Sequence, residues 1–168
     1  SIANLSGVFM EKVPITKEGF EKLKKELDNI KNVAIPENIR DIEVARSHGD
    51  LSENAEYAAA KERQSYLHGK SQELENNLAS CNIINITGIG SDKVVFGSYV
   101  TIADIDSDDG EEIKYQLVGP FESDISLNKI SVTSPIGKAL IGKGIDSEII
   151  VKTPGGVRKF QIIDISCE

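Results

Sequence analysis

Residues 48–57 read His48-Gly49-Asp50-Leu51-Ser52-Glu53-Asn54-Ala55-Glu56-Tyr57, an acidic turn between two long stretches of helical periodicity. Before the turn, from about Thr16 to Arg46, Phe20, Leu23, Leu27, Ile30 and Ala34 follow one another at spacings of 3, 4, 3 and 4, the seam of a coiled coil. After it, from about Glu53 to Cys81, Ala60, Gln64, Leu67, Ser71, Leu74, Leu78 and Cys81 repeat the pattern, weakened by polar Gln64 and Ser71. Because the connection is short, the two arms are expected to fold back antiparallel within one chain. The hairpin then supplies its own partner, and a monomer is expected. An arm of about 30 residues spans roughly 45 Å at 1.5 Å per residue. Pro36 lies inside the first arm, where its missing N–H predicts a bend rather than the end of the hairpin, with Glu37 and Asp41 in the new first turns.

Beyond the arms the pattern changes to short β-type runs, starting at Ile83-Ile84-Asn85-Ile86 and passing through the linker Gly88-Ile89-Gly90-Ser91-Asp92. Strands are predicted over Val94–Ile105, Ile113–Val118, Lys129–Val132, Glu148–Lys152 and Lys159–Ile165, separated by turn clusters such as Asp106-Ser107-Asp108-Asp109-Gly110. Thr153-Pro154-Gly155-Gly156 reads as a hairpin turn. Ser134-Pro135 supplies an N-cap and a first-turn proline for one short helix ending at Gly142. The fold class is therefore α+β: a helical hairpin over residues 10–85, with its acidic tip at 48–57, then an antiparallel β domain over residues 86–168. Residues 1–9 precede Met10 and lack the basic start of a secretion signal; they are read as a cloning remnant or an extension.

With 39% apolar and 27% charged residues the chain has the composition of a soluble globular protein. Its apolar runs are far shorter than the roughly 20 residues a bilayer requires, so no membrane partner is expected and a cytoplasmic location is. Cys81 and Cys167 form no metal or disulfide pattern and are expected to be reduced, inert thiols. The net charge is −8, with 11 basic against 14 acidic side chains in residues 11–85 and 8 against 13 in residues 86–168. Such a balance excludes a protein that holds nucleic acid by charge alone. Arg40, Arg46, Lys61 and Arg63 near the tip are either a local basic patch beside an RNA backbone or an ordinary solvated helix face.

The tip Gly49-Asp50-Leu51-Ser52-Glu53-Asn54-Ala55-Glu56-Tyr57 resembles the signature of the bacterial Gre transcript-cleavage factors, GreA type. Ser131-Val132-Thr133-Ser134-Pro135-Ile136, Ala139-Leu140-Ile141-Gly142 and Lys152-Thr153-Pro154-Gly155-Gly156 resemble that family's second signature region, in the same order along the chain. The resemblance implies a coiled-coil hairpin followed by an FKBP-like domain. By the same resemblance the globular domain docks on RNA polymerase at the entrance of its secondary channel, and the hairpin passes through to the active centre. There Asp50 and Glu53 would act on the backtracked 3′ end of the nascent RNA, with any contact to template DNA being indirect. The protein would stimulate the polymerase's own cleavage without being an enzyme by itself.

The chemistry of the two carboxylates agrees. Mg²⁺ takes oxygen ligands, keeps most of its waters and is often held by one or two carboxylates, so Asp50 and Glu53 suit a site supplied mainly by another protein. Asp50 is assigned to holding the second Mg²⁺ and Glu53 to orienting or deprotonating the attacking water, with the exchanged assignment as the alternative. A plainer reading stands beside it, since Asp-x-x-Glu ahead of an Ala-rich helix is also a capping box, worth only about 1 kcal/mol per residue. Spacing alone favours the cap; the reach of the hairpin and the family resemblance favour catalysis. His48, Leu51, Ser52, Asn54 and Tyr57, with Arg46 and Lys61, are the further candidates for contact with RNA or polymerase. Tyr57 either stacks on a base or covers the seam, Glu56 is read as solvated surface, and a single exposed Leu51 requires no explanation.

His48 and His68 are about four turns apart and cannot share a metal, no Ser-His-Asp set assembles, and Gly142-Lys143-Gly144 lacks the rest of a phosphate-binding loop. Two alternatives to a cleavage factor remain. One is a channel-binding regulator that does not induce cleavage, for which altered tip acids would be the sign. The other is a peptidyl-prolyl isomerase or chaperone on a coiled-coil handle. That reading needs several convergent aromatics, and Phe96, Tyr99, Tyr115, Phe121 and Phe160 are more simply sheet core.

Overall fold

The computed structural model describes residues 12–50 and 54–167. Residues 17–46 run as α1 (Lys17–Asn29), a π-helical turn over Ile30–Ala34, and α2 (Ile35–Arg46). Pro36 accounts for the wide turn. It has no N–H to give to the carbonyl of Asn32, and its ring crowds that carbonyl. The chain instead widens into i→i−5 bonding, in which the Ile35 N–H reaches the Ile30 carbonyl. The helix thus continues past the proline, as expected.

One consequence was not foreseen. Continued at heptad spacing from Ala34, the seam would next bury Glu37, Asp41 and Val44. The extra residue in the π turn advances the buried face by one, so Asn38, Ile42 and Ala45 turn inward while Val44 is 57% exposed. Two carboxylates are thereby kept out of the helix–helix interface. Asn38 is 2% exposed, and its Nδ2 donates to the Ala60 carbonyl at 2.9 Å, which satisfies the one amide the slip buries.

The second helix, α3 (Ala55–Ser80), buries Ala60, Leu67, Ser71 and Leu74, the positions at which the periodicity placed its seam. The Asn38–Ala60 bond, the Lys31–Glu75 ion pair and an Asn54–Ala45 bond run in opposite residue order, so the arms are antiparallel. Each buried Leu of the seam contributes about 1.5–3 kcal/mol relative to exposure.

The residues through Gly19 and from Cys81 onward form a second compact unit. Strand β1 (Val13–Ile15), absent from the sequence reading, pairs in parallel with β2 (Cys81–Ile83). Helix α3 therefore stops at Ser80, and Cys81 opens a strand. The main sheet has, among the described residues, the order β5-β4-β3-β7-β6, built from β3 (Tyr99–Asp104), β4 (Glu112–Val118), β5 (Lys129–Ser131), β6 (Glu148–Thr153) and β7 (Gly156–Ser166). Its pairs are antiparallel except β4–β5, which corrects the expectation of a wholly antiparallel domain. The cause is the connection: from Val118 the chain passes through a 3₁₀ turn at Ile125–Leu127 and a left-handed Asn128, and returns alongside β4 in the same direction instead of closing a hairpin.

β3 also starts later than expected. Gly97 turns the chain at φ +90°, and Val94 instead exchanges backbone bonds with Gly142 and Lys143 at 2.8 Å. A Cβ on Gly97 would meet Ile86 Cγ2 at 2.4 Å. The short helix α4 (Pro135–Leu140) has its predicted cap, the Ser134 hydroxyl accepting from the Gly137 N–H at 3.1 Å. Its Leu140 joins Val100, Ile102, Leu117, Ile149 and Ile162 in the core. At the start of α1, the Glu122 carboxylate accepts from the Thr16 N–H at 2.7 Å, the Thr16 hydroxyl and the Gly119 N–H at 3.1 Å. Thr16 Oγ1 in turn accepts from the Gly19 N–H, so a helix cap and a β-domain loop share one carboxylate.

Candidate functional site at the hairpin turn

The last turn of α2 unwinds through Ser47 N–H to the Glu43 carbonyl, His48 N–H to Ala45 and Gly49 N–H to Arg46, each at 3.2–3.3 Å. Gly49, at φ +99°, is the left-handed residue that ends it. Asp50 follows, exposed and outside either helix. Leu51, Ser52 and Glu53 lie outside the described residues.

Asn54 closes the turn. Its Oδ1 accepts from the Tyr57 N–H at 3.1 Å, and its backbone carbonyl accepts from the Ala58 N–H at 3.1 Å, which makes it the N-cap of α3. Its Nδ2 donates to the Ala45 carbonyl at 2.7 Å, a group of the last turn of α2. One side chain thus serves an orphan donor of one helix and adds a second donor to a last-turn carbonyl of the other, which also accepts from the His48 N–H. Asn54, rather than Asp50, is thus the N-cap of α3, which begins at Ala55, five residues after Asp50; the Glu53 half of the alternative capping box lies outside the described residues. Asp50 accordingly stands outside the first turn of α3. Asn54 itself was expected as a contact residue; S/T/D/N ahead of Ala-rich sequence was the signal for its capping role.

His48 Nδ1 lies 3.1 Å from Glu56 Oε2, bridging the turn between two exposed side chains. Sequence reasoning had left both without a partner. Tyr57 is half-buried and gives its N–H to the cap, so it braces the turn. Arg46 and Lys61 are exposed, the latter donating to Gln64 Oε1 at 2.7 Å. Arg40 and Arg63 are also exposed. A groove of about 380 Å³ between α2 and α3 brings Arg63 together with Asp41, Val44 and Glu56, a mixed lining without a cationic track.

Chemically, the turn offers an exposed carboxylate, Asp50, outside either helix. Among the described residues no three His, Cys, Asp or Glu side chains cluster in a way that could hold a metal ion. The oxygen donor of Asp50 nonetheless fits Mg²⁺, which accepts one or two protein carboxylates when other ligands come from elsewhere. In the globular unit an apolar cleft of about 640 Å³ is lined by Val94, Val95, Phe96, Val132 and Ile141 among others, with Phe96 its one aromatic side chain. Phe160 is buried in the core. The aromatics therefore do not converge as a proline pocket would require. Cys81 is half-buried, and burial pushes its thiol up, keeping it protonated; Cys167 is exposed. No helix among the described residues is long and apolar enough to cross a membrane.

Two family models match the chain, one described as "Transcription elongation factor, N-terminal" over residues 13–83 and one as "Transcription elongation factor, GreA/GreB, C-term" over residues 89–167. The transcription elongation factor GreA of Syntrophus aciditrophicus is 65% identical over 156 residues, which cover 93% of this chain and 96% of that protein. Those of Trichlorobacter lovleyi and of Neisseria meningitidis serogroup A are each 51% identical, covering 93% of this chain and 98% of theirs.

Proposed function

This chain belongs to the GreA/GreB family of transcription elongation factors, and from that premise we propose that it acts on bacterial RNA polymerase in the cytoplasm, stimulating cleavage of the backtracked nascent RNA. In this reading the hairpin enters the secondary channel, its tip reaches the 3′ end of the RNA, and the catalytic centre remains the polymerase's own. The observation that supports it most is the position of Asp50: exposed and outside both helices, on the turn that Asn54 closes.

Asp50 and Glu53 are the residues that would hold Mg²⁺ jointly with polymerase groups. Such an ion supplies Lewis-acid polarisation of the phosphate and of the attacking water. One carboxylate ligates, and the other orients the water or takes its proton. Asn54 positions the pair by tying the two helix ends together, and the His48–Glu56 contact closes the other side of the turn. Arg46 and Lys61 flank the tip as cations near the RNA backbone. Docking of the globular unit falls to the segment from Phe121 to Lys129 and to the Ser134–Gly142 region, where Ile125 is 71% exposed and Leu127 and Ile141 are also exposed.

The test is transcript cleavage in stalled, backtracked elongation complexes, comparing the natural chain with Asp50→Asn and Glu53→Gln while following polymerase binding and helicity. Release of 3′ RNA fragments by the natural chain, lost in variants that still bind, supports donation of carboxylates. Normal cleavage by both variants would sink it and leave occupancy of the channel as the activity.

A further inference from the structure

The two edges of the main sheet differ. β5 is three residues long, whereas β6 presents six, Glu148 to Thr153. An edge of that length is a template for another strand unless something blunts it.

Backbone directions follow from the neighbouring strand. The Lys159 carbonyl accepts from the Ile105 N–H on the β3 side, while Ile162 exchanges bonds with Asp146 and Ser147 on the β6 side, so alternate residues of β7 face alternate neighbours. Phe160 and Arg158 then bond to their partners Ile149 and Val151, and the N–H and C=O groups of Glu148, Ile150 and Lys152 point away from the sheet. Among the described residues no backbone hydrogen bond from another element covers that outer side. The side chains of the same three residues are exposed, Ile150 at 61%, while Ile149 and Val151 lie in the core.

We infer that β6 is a self-complementary edge that pairs antiparallel with β6 of a second copy of this chain, centred on Ile150. In that register Ile150 faces Ile150 of the second copy, and all three outward residues fall in hydrogen-bonded pairs. Glu148 of each copy then faces Lys152 of the other, giving two opposite-charge pairs on the exposed face. A slip by two residues in one direction sets Glu148 against Pro154, which has no N–H to donate; in the other it leaves Lys152 opposite Asp146, at the bend before the strand. The choice of a second copy over another extended segment rests on this charge match: the edge is acidic at one end and basic at the other, so its own antiparallel image neutralises it. The two five-stranded sheets would become one of ten strands. A contact of a few residues is far below a standard interface, so the pairing is weak and concentration-dependent. It adds to the working form with one copy per polymerase, since the hairpin needs no second chain.

Sedimentation velocity on the full chain, from about 10 µM to about 1 mM at low salt, tests it. The mean mass should rise with concentration, and Glu148→Lys or Lys152→Glu should each weaken association on the order of tenfold by setting like charges opposite one another. The double variant Glu148→Lys/Lys152→Glu should restore it, with unchanged circular dichroism in all three because both side chains are exposed. A constant monomer mass overturns the inference. So does association that the single variants leave intact or that the double variant does not restore, since it would lie on another surface.

Discussion

Truncating Asn54 tests the construction of the tip, because one side chain there carries two bonds that tie α2 to α3. In Asn54→Ala the Tyr57 N–H loses its cap acceptor, worth about 1 kcal/mol. The half-buried Ala45 carbonyl loses its side-chain donor and keeps the His48 N–H, a loss worth about another 1 kcal/mol. For the Phe20–Ser80 unit, a loss of about 2 kcal/mol corresponds to about 8–16 °C in its melting, at roughly 4–8 °C per kcal/mol for domains of this size. Fraying of the first turn of α3 limits how much of this appears in a global melt, so amide exchange at Tyr57 and Ala58 is the sharper readout. It should accelerate about 30-fold for 2 kcal/mol. Asn54→Asp keeps the acceptor and loses the donor, and should show about half the effect in free energy. If Asn54→Ala melts within 1–2 °C of the natural chain and exchange at Tyr57 is unchanged, Asn54 is not the cap of α3.

Further outcomes follow from the packing and charge. Asn38→Ala should destabilise the hairpin by about 1–3 kcal/mol in urea melts, because the Ala60 carbonyl loses a buried partner; an unchanged midpoint would mean the π turn does not set the seam. Gly119→Ala places a Cβ 1.8 Å from the Pro14 carbonyl oxygen, a backbone clash expected to cost the globular unit about 3 kcal/mol or more, whereas Gly110→Ala, where nothing lies within 4 Å, should cost less despite its positive φ. The Arg158 guanidinium beside Asp104 holds that carboxyl below its usual range. A depressed folded pKa means stability fully present above the unfolded value near 3.9 and lost as pH falls through the lower folded value. Asp104→Asn should therefore flatten the acid limb of the melting curve below about pH 4 and leave neutral pH little changed; an unaltered acid limb would contradict the pairing.

Much of this was readable from local pattern. Leu23, Leu27 and Ile30 in one arm and Leu67 and Leu74 in the other are buried because a helical seam has a short period that a single chain displays. The Ser134 cap and the β6–β7 turn were legible for the same reason, their chemistry lying within four residues. What escaped depended on distant partners. Strand β1 has three residues and exists because Val13–Ile15 meets Cys81–Ile83, nearly the length of the hairpin away in sequence. The direction of β5 depends on the path of the loop before it. At the site, the turn and its exposed Asp50 were legible, but the cap that the spacing offered as an alternative stood four residues before Asn54. Asp50, Ser52 and Asn54 are all good N-caps, and only the Ala45 carbonyl across the turn selects among them. The seam slip at Pro36 was likewise hidden, since a proline predicts a bend and not which residue follows it inward.

The proposed role of the tip is tested most directly by the Mg²⁺ dependence of RNA cleavage in backtracked complexes saturated with either the natural chain or Asp50→Asn. If Asp50 helps hold the ion, the variant should need about tenfold more Mg²⁺ for half-maximal cleavage and regain rate as the ion is raised. An unchanged half-maximal Mg²⁺ concentration, whatever the rate, would contradict it.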